Sequence, residues 1–164
     1  THMFLAHLPA GYILTNYLQK KAETNRFLWV GLVASILPDI DLVYFYFFDH
    51  RQTLHHSYWI HVPFYWLILG LLTLIIIRLT KKQAYLAATI IFFANIFLHL
   101  LLDTIVGKIE WLQPLSSYAY YLFDVPAKYD FWVYNFIFHW TFLLEITVIV
   151  WAVYLLFKNY KSKN

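Results

Sequence analysis

The sequence contains no cysteine, which rules out a disulfide framework and a thiolate metal site. Charge is scarce as well. Only 13% of the 164 residues are charged, against about 25% in an average soluble domain, and 62% are hydrophobic. One soluble core cannot hide that much apolar side chain, because small domains leave much of their surface exposed. The natural class is an integral membrane protein. The formal net charge is only +3 and the basic residues are dispersed, so nucleic acid is not an expected partner. There is no Gly-rich phosphate loop and no G-x-S-x-G nucleophile elbow. Internal repeats and low-complexity tracts are absent too, and a single domain over 3–164 is expected. Thr1-His2 ahead of Met3 reads as a cloning scar. The segment after Met3 has no preceding Lys or Arg and no small-residue cleavage site, so a signal peptide is not expected.

What the chain does have is a series of apolar runs. Residues 4–19 are apolar but carry His7, Pro9 and Asn16; at about 16 residues the run is short beside the roughly 20 that a bilayer needs. Residues 27–48 form a second run, interrupted by Pro38-Asp39-Ile40-Asp41. Pro38 removes a backbone donor and weakens a helix there, and Asp39 is placed to cap whatever helix follows. Residues 58–77 and 83–102 contain no charged side chain, and each predicts a span. Residues 106–130, with Gly107, Pro114, Ser116, Ser117 and Pro126, predict a loop with an interfacial aromatic patch from Tyr118 to Phe123. Residues 131–157 predict the last span, followed by Lys158, Lys161 and Lys163. The expected fold is an all-α, multi-pass transmembrane helical bundle: four spans plus a short N-terminal helix, inserted or spanning.

Alternate connections collect Lys20, Lys21 and Arg26, then Arg78, Lys81 and Lys82, then Lys158, Lys161 and Lys163, which together are nine of the 12 basic residues. The positive-inside rule places these in the cytoplasm. The polar residues of the opposite leaflet are then Asp39, Asp41, His50, Arg51, His55 and His56, with His61 one turn into its span, His99 and Asp103 at the outer end of theirs, and His139 in the outer half of the last. His7 joins them if the first helix starts outside. Ionisable groups inside a membrane are costly and usually face a bundle interior or a wet cavity. The expected location is the cytoplasmic (inner) membrane, with a site facing the extracytoplasmic side.

Each motif has a plainer alternative. His99 and Asp103, spaced i, i+4, share one helix face and can share a metal, or Asp103 can orient His99; alternatively they are a hydrogen-bonded pair that links helices. Asp39 and Asp41 diverge on a regular helix, but irregular backbone after Pro38 lets both reach one cation; the plainer account is a polar helix end. His50-Arg51 and His55-His56-Ser57 suit imidazole ligation and an Arg clamp on an oxyanion or phosphate, or are simply a His-rich connection. His61, His139 and Glu145 are weaker cases, and no sequence logic makes Ser57 a nucleophile.

Five of these segments occur in a familiar order: Ala6-His7-Leu8-Pro9-Ala10-Gly11, Ser35-Ile36-Leu37-Pro38-Asp39-Ile40-Asp41, His50-Arg51 through His56-Ser57, His99 to Asp103, and Pro114-Leu115-Ser116. This series resembles the YdjM-like family of inner-membrane-associated, metal-dependent hydrolases, part of which is called LexA-binding. The family pattern has Thr where this chain has Ala6 and His55. The third motif is also one residue longer here, so either His55 or His56 fills its ligand position. More distantly, the series is similar to zinc-dependent phospholipase C, which cleaves phosphoesters with clustered zinc ions on a helical scaffold. The resemblance implies a hydrolase acting on a phosphoester, either a small one or a membrane lipid, at the outer interface. His7, Asp39, Asp41, His56, His99 and Asp103 would hold one or more divalent metals; the mixed donors suit Zn²⁺ first, then Mn²⁺ or Fe²⁺. Asp41 or His50 would be the general base and Arg51 would meet developing oxyanion charge. His55, Ser57, His61, Ser116 and His139 are further candidates. Two other classes stand beside this reading: a haem-binding electron carrier with axial histidines, and a non-enzymatic, metal-stabilised scaffold or partner-binding protein.

Overall fold

The computed structural model describes residues 5–161 except 51 and 54, with the backbone alone for His55 and Trp132. The described residues form helices α1 (His7–Lys21), α2 (Leu28–Ile36), α3 (Asp41–Phe47), α4 (Pro63–Thr80), α5 (Leu86–Asp103), α6 (Trp132–Ile137) and α7 (Phe142–Lys161). Short 3₁₀ turns lie at Pro38–Ile40, His55–Ser57, Trp59–His61 and Gln83–Tyr85. There is no strand among the described residues, only an isolated antiparallel bridge between Ile109 and Tyr120.

Three segments are long and apolar enough to cross a bilayer: Pro63–Thr80, Gln83–Asp103 and Phe142–Lys161. A fourth is α2 and α3 taken together, bent by 50° at Pro38–Ile40. At 1.5 Å per residue α1 is about 22 Å long, short of a hydrocarbon core of about 30 Å. Leu67, Ile68, Leu71, Leu72, Ile75 and Leu79 of α4 are all exposed, an outward apolar surface that suits lipid rather than water.

Small residues bring α1, α2 and α5 together. A Cβ on Gly31 would run into the Thr15 side chain, and one on Gly11 into Ser35, so α1 and α2 approach closely at two points, as small residues permit in membranes. Asn95 of α5 donates to Thr15 Oγ1 (3.1 Å) and to the Ile91 carbonyl (2.8 Å). Beyond this seam, Ala34, Ile60, Trp66, Ile96 and Leu100 form one apolar cluster. Ala6, Val106 and Phe136 form a second, where the chain before α1 meets the segment after α5. The starts of α1 and α4 and the ends of α2 and α5 share one end of the bundle. Lys20, Lys21, Arg78 and Lys158 close helices at the other.

Three expectations are modified. The last apolar run is broken: Phe142 N–H donates to the His139 carbonyl and Leu143 N–H to the Trp140 carbonyl, both 3.0 Å. These are i to i−3 bonds of a tight turn. The buried Thr141 takes part in it, its Oγ1 lying 2.8 Å from His139 Nδ1, a local side-chain bond that competes with continued helix. Likewise, α4 starts at Pro63, a residue suited to the first helical position, so His61 sits in the turn before the span and not within it. Asp39 caps nothing: the residue ahead of α3 is Ile40, and no side chain bonds the helix end. Residues 104–131 hold no helix, as expected, and are pinned by Leu122 and Phe123 N–H to the Thr104 and Ile105 carbonyls (both 2.9 Å). Tyr118, Tyr120, Tyr121 and Phe123 are exposed.

Candidate metal centre

Asp103 is the last residue of α5 and is fully buried. Four imidazoles surround its carboxylate. Oδ2 lies 3.0 Å from His99 Nε2, 3.6 Å from His61 Nε2 and 3.7 Å from His56 Nε2, and Oδ1 lies 3.3 Å from His7 Nε2. Asp39 reaches the same group, with Oδ1 3.8 Å from His99 Nε2.

Local sequence explains each placement. His99 stands one turn before Asp103 on the same face of α5. Its Nδ1 is 2.8 Å from the Ser35 carbonyl, in the last turn of α2, where a helix ends with carbonyls that lack intrahelical partners. A carbonyl only accepts, so Nδ1 carries a hydrogen and Nε2 is the nitrogen turned to Asp103. His61 is set in the same manner: its Nδ1 is 2.7 Å from Asp41 Oδ2. Asp41 therefore lies behind His61, on the side away from Asp103. His7 opens α1, and its ring packs on His99 with centroids 3.9 Å apart. The chain just before it is held by Leu5 N–H donating to Glu145 Oε2 (3.0 Å), on α7. His56 comes from the 3₁₀ turn after the connection that Asp49 organises by accepting from Thr53 N–H and Oγ1 (2.8 and 2.9 Å). The Thr53 N–H holds the Asp49 carboxyl below its ordinary range. His56 also needs Gly107, where a Cβ would occupy the space of the His56 ring.

The cluster is buried and its polar atoms face one another. His99 Nε2, both Asp103 oxygens and both His7 ring nitrogens have no hydrogen-bond partner among the described residues. A cation between His99 Nε2 and the Asp103 oxygen, 3.0 Å apart, would satisfy both. Three groups place ligand atoms within 4.8 Å of one another: His7, His99 and Asp103; Asp39, His61 and His99; His56, His61 and Asp103. Buried imidazole and carboxylate donors at this spacing can hold a metal ion. Haem fits poorly, since the His7–His99, His56–His61 and His61–His99 ring centroids, 3.9, 4.9 and 5.5 Å apart, leave no gap for a porphyrin plane.

Of the residues singled out in the sequence, the fold brings His7, Asp39, His56, His61, His99 and Asp103 together and puts Asp41 behind His61. His50 is exposed on a turn with φ 48°. Ser57 is exposed. Ser116 lies in the segment after α5 and accepts Tyr118 N–H (3.1 Å), and His139 bonds Thr141. Arg51 and the side chain of His55 fall outside the described residues. His61 and Glu145, both fully buried, are only weak candidates from sequence, and Gly107 is not a candidate at all. Gly107 follows Asp103 by one helical turn, but nothing in the sequence says that His56 lies over it.

The Asp41–His61 pair makes a measurable prediction. Groups that orient a metal-binding imidazole typically contribute about 10–100-fold in affinity. Asp41→Asn keeps the volume and weakens the bond, so metal affinity should fall about tenfold without being abolished. Competition against a chromophoric chelator reads this directly; unchanged affinity would mean that Asp41 does not set the His61 ring.

Compared with protein families, the whole chain, residues 1–164, matches the family described as YdjM inner membrane protein. No curated protein and no solved structure matches it.

Proposed function

The chain belongs to the YdjM inner membrane protein family, and we propose that its buried cluster is the metal centre of a membrane-embedded hydrolase that cleaves phosphoesters. One observation carries the reading: a single buried carboxylate, Asp103, has four imidazole nitrogens within 3.0–3.7 Å. In this reading His7, His56, His61, His99 and Asp103 hold the ion, Zn²⁺ before Mn²⁺ or Fe²⁺. A divalent metal there would lower the pKa of water and polarise a phosphoryl oxygen.

The chain's own groups supply the rest. His99 and His61 are held by Ser35 and Asp41 with Nε2 turned to Asp103. Asp39 is the cluster's most exposed member, at 20%, and serves as the general base in place of Asp41, which is engaged with His61. The oxygen of one water adds to phosphorus and a P–O ester bond breaks. One water hydrogen passes through Asp39 to the departing alcohol oxygen, and the other stays on the new P–OH. Arg51 is assigned to the charge that develops on the phosphoryl oxygens. The basic helix ends lie opposite the cluster, and the positive-inside rule then turns the cluster to the extracytoplasmic side.

The test uses detergent-purified full chain. Elemental analysis should find metal, and hydrolysis of bis(p-nitrophenyl) phosphate should stop on chelation and return with Zn²⁺. Bound metal without turnover of any phosphomonoester, phosphodiester or lipid would leave a metal-stabilised scaffold as the better account, and absence of metal after dialysis against Zn²⁺ and Mn²⁺ would end both.

A further inference from the structure

The cluster meets the protein surface unevenly. His61, His99 and Asp103 are 0% exposed, His7 2% and His56 7%, while the Asp39 side chain is 20% exposed. Asp39 also lines a surface groove of about 500 Å³, whose other walls are Val33, Ile36, Leu37, Ile40 and Leu42. Among the described residues, every wall other than Asp39 is aliphatic. The groove follows α2 through its 50° bend into α3, and Val33, Ile36 and Ile40 are exposed on it. From Leu28 to Asp39 a helix rises only about 17 Å, against a hydrocarbon core of about 30 Å. The polar end of the groove therefore lies within the apolar slab, and its aliphatic length faces lipid.

We propose that this groove holds the acyl chain of a membrane phospholipid whose phosphoester meets the cluster at Asp39, so that substrate enters sideways from the bilayer. A groove with hydrocarbon walls and one polar end has the pattern of an amphiphile. Among the described residues its lining has no cationic side chain to hold a free polyanion. Asp39 links the groove to the site, since ligand atoms of Asp39, His61 and His99 lie within 4.8 Å of one another. The inference deepens the phosphoester reading and rests on it for the chemistry at Asp39, though the seat for the chain is a separate matter of binding.

The experiment keeps these apart. Full-length, Zn²⁺-loaded protein in maltoside micelles is titrated with hexadecylphosphonate and with methylphosphonate, neither of which can be hydrolysed. Val33→Trp and Ile36→Trp fill the groove at exposed positions, and Leu79→Trp, exposed on α4, is the control with the same added ring. The expected result is that both groove variants lose hexadecylphosphonate affinity at least tenfold and keep methylphosphonate affinity and metal content. Leu79→Trp should match wild type for both ligands. Wild-type affinity of the groove variants for the long-chain ligand overturns the inference. So does an equal loss for both ligands, or a wild-type affinity for hexadecylphosphonate no greater than for methylphosphonate. If the chain-dependent loss is seen while no phosphoester is turned over, the groove inference stands and the hydrolase reading falls. If short phosphodiesters are cleaved and groove variants bind the long-chain ligand normally, the reverse holds.

Discussion

Asp103→Asn should abolish metal binding and, with it, the sensitivity of the protein's stability to chelators. The substitution keeps the side-chain volume at a site with 0% exposure but replaces an acceptor-only carboxylate with an amide that carries two donors. Each of the four imidazoles at 3.0–3.7 Å then meets a neutral group. For wild type, an ion that binds only the folded state adds about 2.7 kcal/mol when its free concentration is a hundred times Kd. Chelation should remove that increment, and in Asp103→Asn there should be nothing to remove. A pure packing network makes the opposite forecast. If Asp103 merely accepts hydrogen bonds from its histidines, Asp103→Asn destabilises the metal-free protein by breaking them, and chelators leave wild type untouched. Thermal unfolding of both proteins, with and without chelator, separates the two cases: a wild type whose stability ignores chelators would sink the metal-centre reading, and stoichiometric metal in Asp103→Asn would show that Asp103 is not a required ligand.

The spans were legible because membranes punish charge. Uncharged runs at 58–77 and 83–102 mark α4 and α5, and Pro38 marks the break between α2 and α3, as its missing N–H requires. The turn that splits α6 from α7 was not legible. It depends on Thr141 being buried beside His139, and burial is a tertiary fact that hydropathy does not carry. His61 shows the same limit at finer scale: a residue two before a proline can be at the start of a span or in the turn ahead of it, and that choice decides whether its ring enters the cluster.

For the site, residue type was readable and direction was not. The sequence assigns His50 and His139 to the same expected polar layer as His56 and His61, yet one is exposed and the other bonds its neighbour. Asp39 and Asp41 look equivalent in the sequence. The bend separates them, sending Asp39 toward His99 and Asp41 to the far ring nitrogen of His61. What converts a layer into a cluster is helix contact through Gly11, Gly31 and Asn95, positions that carry no metal chemistry.

Gly107→Val should impair the centre without touching a ligand. Gly107 N–H donates to the Asp103 carbonyl at 2.6 Å, and any Cβ there would run into the His56 ring and sit 2.9 Å from that same carbonyl oxygen. Because buried packing gives way only partly, overpacking of this kind costs about 1–3 kcal/mol. The side chain with room to yield is His56, which would leave Asp103. We expect metal affinity to fall about 100-fold, the upper end for changes just outside a ligand set. The double variant with His56→Ala tests the route. If Gly107→Val acts through His56, removing the ring abolishes its effect, and the double variant binds metal no worse than His56→Ala alone. Additive losses would mean that the valine instead moves the end of α5 through the Asp103 carbonyl. The readout would then shift from His56 to His99 and Asp103 together, since both ride on that last turn.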